Sequence, residues 1–379
     1  MKKTINRATL QKMLDEGAPL TVLDVRPAEE RAEWAIPGSK HVDIYEALKA
    51  GDPDALASVD VPSDRPVVTV CGAGKTSLVA AEQLRARGVR AASLEGGMRA
   101  WSLAWNTAEV PVPDSTARVL QVRRTGKGCL SYLIAANGAA AVVDAALEPD
   151  VYLELAHEHG WTITDVLDTH VHADHFSRGR LLAEQTGATF HLPAQKRVAV
   201  EHRQIRDGDV MTIGGARLEA VHTPGHTPES TSFLLDGQAL FTGDTLFLTG
   251  VGRPDLEADA GADRERAHLL YGSLQRLLAL PDETLVLPGH TSEPVSFDGA
   301  PIAETLADVR TSAELLNVSE DDFVETVLAR IPPAPPNHER IVLLNEVGRM
   351  PDGDPIELEA GANRCAIGNA VGERKKGGL

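Results

Sequence analysis

The chain has 379 residues, 42% hydrophobic and 24% charged, a composition ordinary for a soluble protein and a length beyond what one core usually organises, so two domains are expected. A formal net charge of −18 sets it against phosphate-bearing partners, which argues against nucleic acid and anionic membrane as ligands. Three widely spaced cysteines, Cys71, Cys129 and Cys365, read as individual thiols in a reducing compartment. Polar Thr4-Ile5-Asn6-Arg7 stands where an apolar leader would begin, so a cytoplasmic location is expected.

In chain order, Thr21–Val25 and Pro66–Val70 read as strands, Ser77–Arg87 as an amphipathic helix and Ala91–Leu94 as a further strand, an alternation that predicts a parallel α/β domain. Cys71 follows one of these strands and precedes Gly72-Ala73-Gly74-Lys75-Thr76, a loop whose N–H groups and following helix favour a thiolate or anion. The loop is not a Walker-type phosphate loop, because Thr69 stands where that motif requires glycine. Asn106–Thr116, with Pro111 and Pro113, reads as connecting chain, which puts a linker at 109–116 between domains 1–108 and 117–379. Hairpins then follow around Asn137-Gly138, Gly214-Gly215 and Asp236-Gly237, which predicts packed sheets. Glu373–Leu379 reads as a frayed tail.

Thr164–Thr169 reads as a strand and Arg178 onward as a helix, so His170, His172, Asp174 and His175 fall in the loop between them. Three further pieces place potential ligands beside glycine at strand ends: Gly225-His226, Gly243-Asp244 and Gly289-His290. Imidazole and carboxylate together suit zinc, iron or manganese. His222, ahead of a Pro-Gly turn, reads as structural.

The order His-x-His-x-Asp-His, Gly-His, Gly-Asp, Gly-His resembles the metallo-β-lactamase superfamily over residues 117–379. That resemblance implies an αββα sandwich with its metal at the sheet edge. Val251–Leu256, Tyr271 reading as the opening of a helix, and Ala362-Asn363-Arg364-Cys365 resemble the persulfide dioxygenase branch. This branch implies oxidation of glutathione persulfide, or another low-molecular-weight persulfide, by O₂ to sulfite at one Fe(II). By resemblance His170, His226 and Asp244 hold the iron, with His172, Asp174, His175 and His290 around it or left from a second metal site. Arg253 reads as a carboxylate clamp. Arg364 beside Cys365 reads as lowering that thiol's pKa near substrate, and Tyr271 joins them as a substrate-binding candidate. Cys129 reads as a small buried hydrophobe. All ligands for two zincs are present as well, so the motif leaves open a glyoxalase-II-like thioester hydrolase.

The first domain resembles a single-domain rhodanese, through Leu23-Asp24-Val25-Arg26, Ile36-Pro37-Gly38, the Cys71 loop and Leu94–Gly97 leading to Trp101. The resemblance makes Cys71 a sulfane-sulfur carrier and implies thiosulfate formation from sulfite. Thr76 stands where active rhodaneses commonly carry Arg, with Lys75 as the substitute cation, so a non-catalytic sulfur-binding module is the other reading. A homo-oligomer is expected.

Overall fold

A computed structural model describes residues 2–256, 261–361 and 363–368; the tail Glu373–Leu379 lies outside the described residues. The N-terminal domain is built on a five-stranded all-parallel sheet, in the order Thr4–Ile5, Ala91–Leu94, Val67–Val70, Thr21–Asp24, Lys40–His41. Its strands are apolar on both faces because helices cover both. Val22 and Val68 pack with Leu10 of the helix Arg7–Asp15, while their neighbours Leu23 and Val67 pack with Ala80 and Leu84 of Lys75–Ala86.

The C-terminal domain packs two sheets face to face. One has seven strands, ordered Arg203–Ile205, Thr189–Pro193, Thr162–Leu167, Ala139–Val143, Leu130–Ala136, Arg118–Arg123, Asn106–Val110. The other has six, ordered Val210–Ile213, Ala216–His222, Thr231–Leu235, Ala239–Gly243, Leu285–Pro288, Glu304–Thr305. Tyr132, Ile134 and Val143 meet Leu218, Phe233 and Phe241 between them. The outer face of the first sheet carries the helices Pro149–His159 and Gly179–Thr186, and that of the second carries Ala262–Leu278 and Glu320–Ala329, which completes the αββα order. The three Gly-bearing turns all sit in hairpins, and Asn137 and Asp236 take positive φ of 47° and 49°, as two-residue turns demand.

The connecting stretch is shorter than expected. Asn106–Val110 is an edge strand, antiparallel to Arg118–Arg123 from Asn106 opposite Arg123 to Val110 opposite Val119. Glu109 and Val110, expected in the linker, therefore belong to the sandwich, and Pro111 and Pro113 sit in the turn of this hairpin. Ala108 and Val110 are buried with Glu109 exposed between them, a two-residue period hidden by the prolines that end it. Tyr271, expected to open a helix, lies in the middle of Ala262–Leu278. Among the described residues, no helix is long and apolar enough to cross a membrane.

The two domains share a buried contact. Trp34 is 5% exposed and donates its indole N–H to the carbonyl of Thr125 at 3.2 Å. Its own carbonyl accepts from Arg26 Nη2 at 2.7 Å, and Arg26 is forked onto buried Asp24. The Asp-x-Arg motif of the first domain thus holds the residue that reaches the second.

Candidate metal centre

Each side chain of the site leaves the end of a strand. Thr162–Leu167 is flanked by parallel strands and releases Thr169 to His175 at its C-terminal edge. Asp244 follows Ala239–Gly243, and His290 follows Leu285–Pro288, the parallel neighbour of that strand. Gly289 is required there, since a Cβ on it would stand 2.8 Å from Asp244 Oδ1. His226 sits in the turn after Ala216–His222, where Gly225 has φ +142° and a Cβ would come 2.4 Å from the Leu270 backbone.

His170, His226 and Asp244 bring one donor atom each within 4.8 Å of one another, all buried. His170 Nε2 and His226 Nε2 lie 3.9 and 3.7 Å from Asp244 Oδ2, separations spanned by one ion at bond lengths of about 2.1 Å. The tautomers are set from behind. His226 Nδ1 donates to the Arg253 carbonyl at 2.8 Å. His170 Nδ1 meets Thr169 Oγ1 at 2.9 Å, and that hydroxyl donates onward to Asp144 Oδ2, so the ring must supply the proton and keep its Nε2 lone pair. Burial holds both imidazoles below the usual histidine pKa, and for His170 neighbouring His172 adds to it. Among the described residues, Asp244 Oδ2 is buried without a hydrogen-bond partner. Two neutral imidazoles facing an unsatisfied carboxylate oxygen fit a divalent cation.

Of the other four predicted residues, Asp174 receives His175 and His290, and His172 turns to Asp144. His290 Nδ1 binds Asp244 Oδ1 at 2.6 Å, and its Nε2 lies 3.0 Å from Asp174 Oδ2. Burial opposes its charge, but two flanking carboxylates hold the imidazolium well above the usual range. His175 Nδ1 binds Asp174 Oδ1 at 2.8 Å, and despite burial Asp174 raises His175 to about 9. His172 Nε2 stands 3.3 Å from Asp144 Oδ1. Lys127, only 3% exposed, places Nζ 3.8 Å from Asp174 Oδ2.

Several expectations are corrected. Arg253 does not clamp substrate: Nε and Nη2 fork onto Asp255 at 2.8 and 2.7 Å, and the remaining donors go to the carbonyls of Pro332, Pro333 and Arg364. Its function is to tie the loop whose backbone orients His226. Arg364 turns away from Cys365 to pair with Glu33 of the first domain at 2.9 Å. Cys365 does reach the centre, within 4.8 Å of Asp244 and His290 donors, but burial and Asp244 push its thiol well up rather than down. Tyr271 packs its ring on Phe323 at 5.4 Å in the helical layer. Cys129 is not merely an inert hydrophobe. Its Sγ lies 3.6 Å from Asp174 Oδ2, and although burial and Asp174 oppose ionisation, His175 and His290 bring it to about 6. His222 is structural, as expected: its ring binds the Pro228 carbonyl at 3.0 Å.

Asp144, Lys127 and Glu359 were missed. Asp144 had a signal, a carboxylate directly after an apolar strand; its φ of 53° turns it onto Thr169 N–H at 2.7 Å. Glu359 had none, because Arg124, its partner at 3.0 Å, lies 235 residues away.

In the first domain Cys71 is 2% exposed, and the Ser77 N–H points at its Sγ from 3.3 Å. The loop is pinned from outside by Met98 N–H on the Cys71 carbonyl and Arg99 N–H on that of Gly72. Lys75 and Ala73 are exposed at its rim.

Residues 124–290 match the model of the metallo-beta-lactamase superfamily, and residues 6–104 that of the rhodanese-like domain. The crystal structure of ETHE1 from Myxococcus xanthus is 33% identical and superposes with a TM-score of 0.54 over 61% of this chain and 98% of that one. The chain belongs to the metallo-β-lactamase superfamily and carries a rhodanese-like domain ahead of it. A second superfamily structure, a metallo-beta-lactamase from Staphylococcus aureus subsp. aureus COL, is 29% identical with a TM-score of 0.57 over 64% of this chain and 75% of that one. Hydroxyacylglutathione hydrolase from Rhizobium johnstonii is 38% identical over 157 residues, which is 41% of this chain and 58% of the relative. The chain thus spans less than two thirds of such curated relatives.

Proposed function

We propose that the C-terminal domain oxidises a low-molecular-weight persulfide, with glutathione persulfide as the expected form: RSSH + O₂ + H₂O → RSH + SO₃²⁻ + 2 H⁺. The observation that carries this reading is how Asp244 divides its oxygens. Oδ1 is held by His290, and only Oδ2 faces His170 and His226. With Oδ1 held by His290, Asp244 offers its open oxygen to the same ion as His170 and His226, which suits a single-ion site. The buried ammonium of Lys127 beside Asp174 further disfavours a second divalent cation there, since it already supplies positive charge to that carboxylate.

An Fe(II) held by His170, His226 and Asp244 would supply the O₂ chemistry and keep three further coordination positions. The chain's own residues do the rest. Thr169 and the Arg253 carbonyl hold the two rings in the liganding tautomer, and His290 orients Asp244. Cys365 sits buried beside Asp244, and burial together with Asp244 pushes its thiol well up. Cys71 is the proposed sulfane-sulfur carrier, loaded by RSSH + Cys–SH → RSH + Cys–S–SH and discharged to sulfite by Cys–S–SH + SO₃²⁻ → Cys–SH + S₂O₃²⁻; the Ser77 N–H on its Sγ at the start of a helix supports this reading.

The similarity to hydroxyacylglutathione hydrolases favours a second reading, a two-zinc thioester hydrolase. Metal analysis and O₂ uptake separate them. Protein prepared anaerobically with Fe(II) is expected to hold about one iron per chain and to consume O₂ with glutathione persulfide, releasing sulfite. About two zincs per chain, thioester hydrolysis and no O₂ uptake would overturn the proposal. In Cys71→Ser, sulfite should accumulate where the parent forms thiosulfate; an unchanged product mixture would leave the first domain a non-catalytic module.

A further inference from the structure

Beside His170, His226 and Asp244 lies a second donor set. Cys129, Asp174, His175 and His290 bring one donor atom each within 4.8 Å of one another, all buried. Among the described residues, His175 Nε2 and His290 Nε2 have no hydrogen-bond partner. Asp174 Oδ2 lies 3.0 Å from His290 Nε2 and 3.6 Å from Cys129 Sγ. A thiol, a carboxylate and two imidazoles with open nitrogens are the ligand types of a closed tetrahedral site. By donor chemistry alone, this half of the centre suits an ion of its own.

Lys127 stands against that. It is buried, and its Nζ lies 3.8 Å from the same Asp174 Oδ2. The ammonium is fixed there, because it donates to the carbonyls of Glu359 at 3.0 Å and Gly361 at 3.4 Å. The loop that carries it has no slack. Lys127 and Cys129 flank Gly128, which has φ +99° and where a Cβ would come 2.4 Å from the Thr291 carbonyl oxygen. The Thr291 N–H in turn donates to the Gly128 carbonyl at 2.9 Å. One tight turn therefore delivers both a cysteine ligand and a cation to Asp174. A divalent ion at Asp174 would face a buried ammonium across a single carboxylate, where water does not screen the repulsion.

We propose that Lys127 sets the metal count of this chain: its ammonium takes the place of a second ion at Asp174, and without it Cys129, Asp174, His175 and His290 take up a divalent ion. The proposal rests on the single-ion reading above and names the residue that enforces it. It also gives the ligand-type residues a role without an ion of their own. Asp174, neutralised by Lys127, holds His175 and His290, and His290 orients Asp244.

Cobalt(II) loading of the full chain tests this. The protein is stripped of metal, reloaded anaerobically with cobalt and freed of excess by gel filtration. Elemental analysis counts the ions, and a thiolate bound to cobalt adds a sulfur-to-metal charge-transfer absorption. The parent should hold about one cobalt per chain without that absorption, and Lys127→Met about two with it. Lys127→Gln, which keeps an N–H donor for the two carbonyls but no charge, should behave like Lys127→Met. Circular dichroism identifies a misfolded variant, and the other then decides. Adding Cys129→Ser should abolish the absorption; a band that survives overturns the assignment of Cys129. A merely structural lysine would change stability and leave the count unaltered. An unaltered count in the folded Lys127 variants therefore overturns the proposal and leaves the single-ion reading standing. About two cobalt ions in the parent would instead fail the single-ion reading itself.

Discussion

At the residue scale the centre depends on groups that never touch a metal. His170 can coordinate through Nε2 only while Thr169 accepts its Nδ1 proton, and Thr169 can accept only because its own proton goes to Asp144. Valine keeps the shape of threonine and removes this relay. Thr169→Val should weaken metal retention about ten- to a hundredfold, read by chelator competition, with an unchanged circular dichroism spectrum. Equal retention would mean that packing alone orients the ring. Arg253 carries the same lesson from the other side. A buried arginine beside a metal site is a natural candidate for substrate contact, yet its five N–H groups are consumed by Asp255 and three carbonyls.

At the scale of elements, the C-terminal segment 356–368 joins the parts. Its short helix Ile356–Glu359 lies against the first domain through Glu357 and Arg99, and its last strand, Ala366–Gly368, pairs with Gly250–Gly252 beside the centre. Glu359 is the anchor. It accepts from Arg124 and Arg178 and from the Phe176 N–H at 2.7 Å, next to His175. Burial works against its charge, but Arg178 and Arg124 bring its pKa down to about 2 from 4.5. A depressed carboxylate contributes stability that is fully present above about pH 4.5 and is lost as pH falls toward 2. Glu359→Gln should therefore destabilise the protein at pH 7 by about 3 kcal/mol, because it leaves two buried guanidinium groups uncompensated. Urea unfolding at pH 7 and at about pH 3 checks both parts, since the gap between parent and variant should narrow at the lower pH. A gap independent of pH would show that the carboxylate's charge is not what the arginines need.

At the scale of the whole molecule, the rhodanese-like domain packs through Trp34 against the segment that leads to the metal centre. Trp34 hydrogen-bonds to Thr125, and Gly128 can pass the indole only without a side chain, a Cβ there lying 3.0 Å from the ring. Residues 125–129 also carry Lys127 and Cys129 to Asp174. Trp34→Ala should cost about 3 kcal/mol at this contact and separate the two domains' unfolding in calorimetry. Loss of bound metal should accompany the transition of the C-terminal domain. A single transition at the parent temperature would show that the domains are coupled elsewhere, through Arg99–Glu357 and Arg364–Glu33.

The candidate ligand residues, the Cys71 loop, the hairpins and the packed sheets were legible in the sequence because each rests on short-range chemistry: ligands beside glycine at strand ends, two-residue turns with positive φ, and apolar periods of two; the choice of His170, His226 and Asp244 among those ligands came from the family resemblance. The edge strand Asn106–Val110 obeys the same period but was masked by Pro111 and Pro113, whose turn looks like a linker until the partner strand Arg118–Arg123 is in place. What only the tertiary structure decided are the partners. The sequence left open whether Arg253 binds substrate or backbone, and whether Cys129 and Cys365 are inert or poised. It also could not say which oxygens of Asp244 are free. Those answers depend on groups 46 residues apart, as in Asp244 and His290, or 235 apart, as in Arg124 and Glu359. No local pattern encodes such pairings; folding selects them because a buried charge or donor without a partner costs more than the order needed to supply one.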